Sequence, residues 1–210
     1  MTGRLIVLDV DSTLITSEVI EMIAARAGTE AEVAAVTEAA MRGEIDFAES
    51  LRQRVATLEG VPDTVFAEVL DEVRFTPGAE ELIGTLQSEG WTAALVSGGF
   101  AEVVAPLAAR IGIDRFRANR LETADARLTG RTTGPVIDRA AKAAALLEFC
   151  AELGIAPADA VAVGDGANDL DMMAAAGLGI AFNAKPVVQQ QADVAVNAPR
   201  LDAVLDVIER

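Results

Sequence analysis

Histidine is absent from these 210 residues, and so is tyrosine. Without histidine there is no imidazole general base, no phosphohistidine chemistry and no His-ligated zinc. The single cysteine, Cys150, excludes an intramolecular disulfide and a cysteine-rich metal cluster. It sits among alanines and leucines on a helical stretch, where a cysteine serves as a small buried hydrophobe. Aromatic residues make up 4% of the chain, too few to supply base-stacking platforms. Positive charge is also short. Lys and Arg number 17 against 33 Asp and Glu, a net charge of −16. Such a surface repels nucleic-acid phosphates and anionic lipid heads, so neither nucleic acid nor membrane is an expected partner. No run approaches the roughly 20 apolar residues that span a bilayer. Acids interrupt the N-terminal run LIVLDVD after four residues, so it does not read as a signal peptide. The expectation is a cytoplasmic monomer or homodimer whose partner is a small molecule.

The chain does have an alanine-rich hydrophobic fraction of 51%, which favours helices. Its length suits one good core, or one core with a smaller satellite. Residues 4–8, RLIVL, read as a buried strand meeting Asp9-Val10-Asp11. From Ser17 the period changes. Val19, Ile20, Ile23, Ala24 and Ala27 recur at helical spacing up to Gly28. A second helix is expected from Glu30 to Met41, ended by Gly43. A third is capped by Asp46, with Glu49 placed for a capping box. A fourth runs from Pro62-Asp63 to Val73. Residues 15–74 thus read as consecutive helices without a strand.

After Phe75-Thr76-Pro77-Gly78, helices and strands alternate. A helix over 79–89 precedes a strand over 91–96, and Ser97-Gly98-Gly99 leads into a helix ending near Arg110. Residues 115–136 read as an antiparallel hairpin, with turn signals at Ala124-Asp125 and Thr129-Gly130. A helix over 139–153 follows. Then come a strand over 160–163, a helix from Asn168, strands over 178–182 and 193–197 around a short helix after Pro186, and a final helix. The predicted fold is α/β, a Rossmann-like doubly wound parallel sheet. Residues 1–14 and 75–210 would form its core, with a small helical bundle, residues 15–74, inserted as a cap after the first strand.

Ligands of open α/β sheets bind beyond the carboxyl ends of the strands, and four clusters fall there. They are Asp9-Val10-Asp11-Ser12-Thr13, Ser97-Gly98-Gly99, Lys142 near the start of its helix, and Gly164-Asp165-Gly166-Ala167-Asn168-Asp169. Asp9 and Asp11 are two apart and share a face if the strand persists. Several carboxylates converging on one sheet edge repel one another. A hard cation with oxygen ligands resolves that, and Mg2+ suits an open site completed by water and phosphate. Ser97 and the Gly98 amide, before a helix N-terminus, make an anion cradle, and Lys142 supplies a point charge. An aspartate nucleophile, a second aspartate, Mg2+, a serine and a lysine together describe phosphoryl transfer through an aspartyl phosphate.

DVDST at 9–13, SGG at 97–99, Lys142 and GDGAND at 164–169 resemble the haloacid dehalogenase superfamily of phosphatases. DVDSTLITSEVIEMIA, GEIDFAESLRQRV, LVSGGF and VAVGDGANDLDMMAAAGLGIAFNAKP narrow the likeness to its phosphoserine phosphatases, over essentially the whole chain. The resemblance implies Mg2+-dependent hydrolysis of O-phospho-L-serine, the last step of serine biosynthesis. It makes Asp9 the nucleophile and Asp11 the general acid and base. Asp9, the Asp11 backbone carbonyl and Asp165 would hold the metal, with Asp169 supporting through water. Ser97, Gly98 and Lys142 would hold the phosphate, with Asn168 nearby. Glu18 would meet the substrate ammonium and Arg54 its carboxylate, while Met41 and Phe47 cover the pocket. Position 10 is Val where the family often has Phe. The regulatory domains that precede the catalytic part in many relatives are not expected before an Asp9 so close to the start.

Each residue also has a plainer reading. Lys142 alone is a solvated helix lysine, Glu18 an acid complementing a helix N-terminus, and Arg54 half of a surface ion pair. Met41 and Phe47 alone are core residues. Two other functions compete with the phosphatase. One is a phosphotransferase or phosphatase acting on another small ester, such as transfer to homoserine. The other is a phospho-ligand binding module on the same fold.

Overall fold

The computed structural model describes residues 3–41 and 44–208, Met41 by its backbone alone. Seven strands form one sheet: β1 (Leu5–Leu8), β2 (Thr92–Phe100), β3 (Arg115–Ala124), β4 (Arg127–Thr133), β5 (Ala160–Gly164), β6 (Leu178–Phe182) and β7 (Val194–Val196). The order is β4-β3-β2-β1-β5-β6-β7, parallel throughout except for the β3–β4 hairpin. Central β1 reads LIVL because it is covered on both faces, and all four side chains are buried. Ile6 and Leu8 join Leu95, Val163 and Phe182 in one core, under α5 (Ala79–Ser88) and α6 (Ala101–Arg110). Leu5 and Val7 join Val96 and Ala162 in the other, under α7 (Arg139–Leu153) and α8 (Leu170–Ala175). Each such aliphatic side chain contributes roughly 1.5–3 kcal/mol when fully buried. This is the doubly wound α/β arrangement that the alternation predicts.

Between β1 and α5 lie α1 (Val19–Ala27), α2 (Glu30–Met41), α3 (Phe47–Ala56) and α4 (Val65–Glu72). The predicted stripe of α1 is its buried face, and Gly28 ends it in the left-handed region at φ 72°. Arg26 ties α1 to α4 through Glu68 at 3.4 Å and Glu72 at 2.8 Å. The two connections to the sheet run side by side. Ile15 bridges Phe75, the Thr16 N–H donates to the Arg74 carbonyl at 3.2 Å, and the Thr76 N–H donates to the Leu14 carbonyl at 2.9 Å. The segment joining α3 to α4 pairs with the hairpin. The Gly60 N–H donates to the Leu128 carbonyl and the Leu128 N–H to the Val61 carbonyl, both at 2.8 Å. Edge strand β4 is covered there rather than left open to other chains.

Several expectations shift. Asp46 caps α3 by accepting the Glu49 N–H at 2.8 Å, but the Glu49 carboxylate turns to Arg52 and Gln53, so the capping box is only half formed. Helix α4 begins at Val65 because Pro62–Thr64 form a turn. Thr129-Gly130 is not a turn. It lies inside β4, where Gly130 has φ 74° and an added Cβ would meet the Glu59 Cβ at 3.0 Å. Asp125 and Ala126 make the hairpin turn, with φ 50° and 58°. The final helix is a tight three-residue-per-turn segment, Leu201–Asp206. Gly43 lies outside the described residues.

Candidate active site

Strand β1 ends at Leu8, although the Asp9 N–H continues its ladder by donating to the Val163 carbonyl at 2.9 Å. Residues 10–14 then leave the sheet in an irregular loop with Ser12 at φ 57°. Strand alternation therefore does not align Asp9 with Asp11, contrary to expectation; the loop brings them to the same edge. Asp9 is 5% exposed and accepts from Lys142 Nζ at 2.5 Å. The same ammonium reaches Asp169 Oδ1 at 2.7 Å. Asp11 instead accepts the Val19 N–H at 3.0 Å on Oδ1, with Ser97 Oγ 3.5 Å from Oδ2. Thr13 Oγ1 donates to Asp165 Oδ1 at 3.1 Å, and Thr76 Oγ1 donates to the Thr13 carbonyl at 2.7 Å. Asp169 Oδ2 accepts the Gly166 N–H at 3.0 Å.

Lys142 is wholly buried in the first turn of α7, where Asp138 caps the helix by accepting the Ala141 N–H at 2.8 Å. Burial alone would lower its pKa, but the Asp169 and Asp9 carboxylates outweigh burial and raise it, so the ammonium persists. One cation does not neutralise this edge. Burial and then Asp169 push Asp9 well above the usual carboxylate range, against the pull of Lys142. Burial and then Glu18 raise Asp11 to about 7. Burial and then Asp169 raise Asp165 to about 6. Carboxylate oxygens of Asp9, Asp165 and Asp169 lie within 4.8 Å of one another. A cluster of hard oxygen donors with surplus negative charge fits a hard divalent cation.

The Ser97-Gly98-Gly99 cluster also differs from expectation. β2 continues to Phe100 and α6 starts at Ala101, so the Gly98 amide is not one of the helix's terminal donors. The cradle is the strand end itself, where the Gly99 N–H donates to Ser97 Oγ at 2.8 Å. An added Cβ at Gly99 would lie 2.5 Å from Asp11 Oδ2, which is why the backbone must be bare there.

A cavity of about 740 Å3 runs from this edge to the inserted helices. Asp9, Asp11, Gly98, Asp165 and Asn168 line it from the sheet edge, and Glu18, Phe47 and Arg54 from the inserted residues. Glu18 is held by Ser12 Oγ at 2.6 Å. Arg54 Nε donates to the Ser50 carbonyl at 3.3 Å, and the residue lines the cavity. Burial lowers its pKa, while Glu18, Asp11 and Glu21 act the other way. Met41 closes α2, and its side chain lies outside what the structure describes. Glu21, Thr37, Ile45, Lys185 and Val188 also line the cavity. Nothing in the spacing of Glu21, Thr37 and Ile45 marked them, because a long helical insertion gives no register against a distant sheet edge; Lys185 and Val188 come from the segment after β6.

The haloacid dehalogenase-like hydrolase family matches residues 6–174. The phosphoserine phosphatase of Streptococcus thermophilus is 47% identical over 205 residues, which are 98% of this chain and 95% of that protein. Phosphoserine phosphatase SerB2 of Mycobacterium tuberculosis is 55% identical over 204 residues, 97% of this chain and 50% of that protein. The chain therefore spans about half the length of that relative, and likewise 49% of the phosphoserine phosphatase of Streptomyces coelicolor. A solved phospho-aspartyl intermediate analogue of phosphoserine phosphatase superposes with a TM-score of 0.94 at 41% identity, covering 100% of both chains. A substrate-bound phosphoserine phosphatase complex gives 0.94 at 40% identity, again over 100% of both.

Proposed function

The chain belongs to the haloacid dehalogenase-like hydrolases, and from that premise we propose that it hydrolyses O-phospho-L-serine to serine and phosphate through an aspartyl phosphate on Asp9. The observation that carries this reading is one cavity lined by two chemically distinct groups. Asp9, Asp11 and Asp165 line it, with Lys142 buried behind Asp9, and so do an acid, Glu18, and a guanidinium, Arg54. A phosphorylated amino acid needs both: an anion for its ammonium and a planar fork for its carboxylate.

Asp9 would attack phosphorus along the line to the serine oxygen, with Lys142 fixing its carboxylate. Asp11, raised to about 7, would give its proton to the departing serine alkoxide. It would then take a proton from the water that cleaves the aspartyl phosphate. Ser97, the Gly98 backbone and Lys142 would hold the phosphate oxygens, with Asn168 beside them. Asp9, Asp165 and the Asp11 carbonyl would hold Mg2+, with Asp169 behind, and the ion would supply positive charge to the transferring phosphoryl group. Residues 15–74 would act as a cap, with Phe47 and Met41 over the substrate and bulk water excluded.

The test is phosphate release from phosphorylated amino acids and small phosphate esters, with Mg2+ and with EDTA. Mg2+-dependent preference for phosphoserine is expected. Release without that preference would discard the substrate and keep the chemistry. No release from any ester would move the weight to a phosphotransferase needing an acceptor, checked by adding homoserine.

A further inference from the structure

Asn119 lies in β3 and is 1% exposed. Strands β2 and β3 keep register up to Ser97 opposite Ala118 and resume with Phe100 opposite Asn119. Gly98 and Gly99 are therefore spare residues on the β2 side. A bulge of this kind leaves backbone groups without ladder partners. Asn119 takes one of them: its Nδ2 donates to the Gly98 carbonyl at 2.8 Å. Its Oδ1 accepts the Ile137 N–H, also at 2.8 Å. Ile137 precedes Asp138, the residue that caps α7, and Lys142 sits in the first turn of that helix. One buried amide thus fastens the bulge that presents Ser97 and Gly98 to the segment that fixes where α7 begins. Asn119 itself is not among the residues lining the cavity.

We infer that Asn119 is a positioning residue for phosphate recognition, holding the Gly98 bulge in place relative to Lys142. The inference rests on the proposed phosphatase reading of this cavity. Its chemistry is specific to an amide. Asparagine offers one donor and one acceptor in a planar fork, ionised aspartate keeps only the acceptor, and leucine keeps neither.

The test compares the unmodified chain with Asn119→Asp and Asn119→Leu, well below their melting temperatures. Binding of inorganic phosphate with Mg2+ is followed by calorimetry. During phosphoserine turnover, inhibition by phosphate reports on the Ser97–Gly98–Lys142 group, and inhibition by L-serine reports on the Glu18–Arg54 pair. Asn119→Asp should weaken phosphate binding about tenfold and Asn119→Leu more, with L-serine inhibition unchanged. Lower melting temperatures with unaltered phosphate binding would reduce Asn119 to a structural residue and overturn the inference. So would equal loss of phosphate and L-serine affinity. If Asn119→Leu does not fold, Asn119→Asp decides alone. An unmodified chain that binds phosphate but turns over no phosphoserine sinks the functional reading, and calorimetry still judges Asn119. A chain that binds no phosphate overturns both.

Discussion

Lys142 Nζ stands 2.5 Å from Asp9 Oδ1 and 2.7 Å from Asp169 Oδ1, with all three side chains buried. The lysine is the partner that lets two carboxylates share the sheet edge. Lys142→Met leaves both without their cation, and losing one partner of a buried ion pair costs about 3–5 kcal/mol. The metal-free variant should melt well below the parent, with Mg2+ recovering part of the difference, and turnover should fall by about 10^2-fold or more. Asp9→Asn should abolish turnover while keeping the fold, because Lys142 retains Asp169. A fully active Asp9→Asn protein would end the aspartyl-phosphate mechanism.

Arg54 separates substrate recognition from chemistry. Arg54 lines the cavity, and its hydrogen bond to the Ser50 carbonyl uses only Nε. A hydrogen bond to a charged group is worth about 1.5–3 kcal/mol. Arg54→Ala should therefore raise KM for phosphoserine about 10- to 150-fold. Values for p-nitrophenyl phosphate, which has no carboxylate, should barely move. Equal losses on both esters would remove Arg54 from recognition.

Gly98 and Gly99 should behave differently despite being neighbours. An added Cβ at Gly99 meets Asp11 Oδ2 at 2.5 Å and Ser97 Oγ at 3.0 Å, so Gly99→Ala must push the Asp11 carboxyl aside. Misplacing a reacting group by about 1 Å costs on the order of 10^2-fold, and kcat should fall accordingly. At Gly98 the nearest atom is the tip of the Phe47 ring at 3.2 Å, which can yield. Gly98→Ala should change KM more than kcat. Steady-state kinetics of both variants distinguish the cases.

These contrasts mark what the sequence could and could not convey. The strands at Leu5–Leu8 and Leu178–Phe182 were legible because parallel strands buried on both faces read as continuous apolar runs. Asp9 and Asp165 stood out at strand ends beside Asp11 and Gly166, whereas Lys142 stood out only through its place in the family pattern. What stayed hidden depends on distance in the chain. Thr76 reaches Thr13 across 63 positions, and Asn119 links Gly98 to Ile137. Neither contact has a local period. The helix after Ser97-Gly98-Gly99 does begin just beyond, at Ala101, but the strand expected to stop at Val96 runs on to Phe100, because β3 holds the glycine pair in the sheet as a bulge.

The stability of the metal-free protein should carry the signature of the crowded carboxylates. Asp11 at about 7 and Asp165 at about 6 both lie above their unfolded value of 3.8, and Asp9 is raised too. Between those limits the folded chain binds more protons than the unfolded chain, so stability falls as pH rises. Ordinary Asp and Glu are ionised above about pH 5.5, and the chain has no histidine to titrate above that. A falling slope from there to neutrality is therefore expected from the raised carboxylates. In EDTA the melting temperature should drop between pH 5.5 and 7.5, and Asp11→Asn should flatten part of that drop. Mg2+ competes with protons for the same oxygens, so its stabilisation should be larger at pH 7.5 than at 5.5. A melting temperature in EDTA that stays level or rises over this interval would mean that the carboxylates are already ionised in the folded chain.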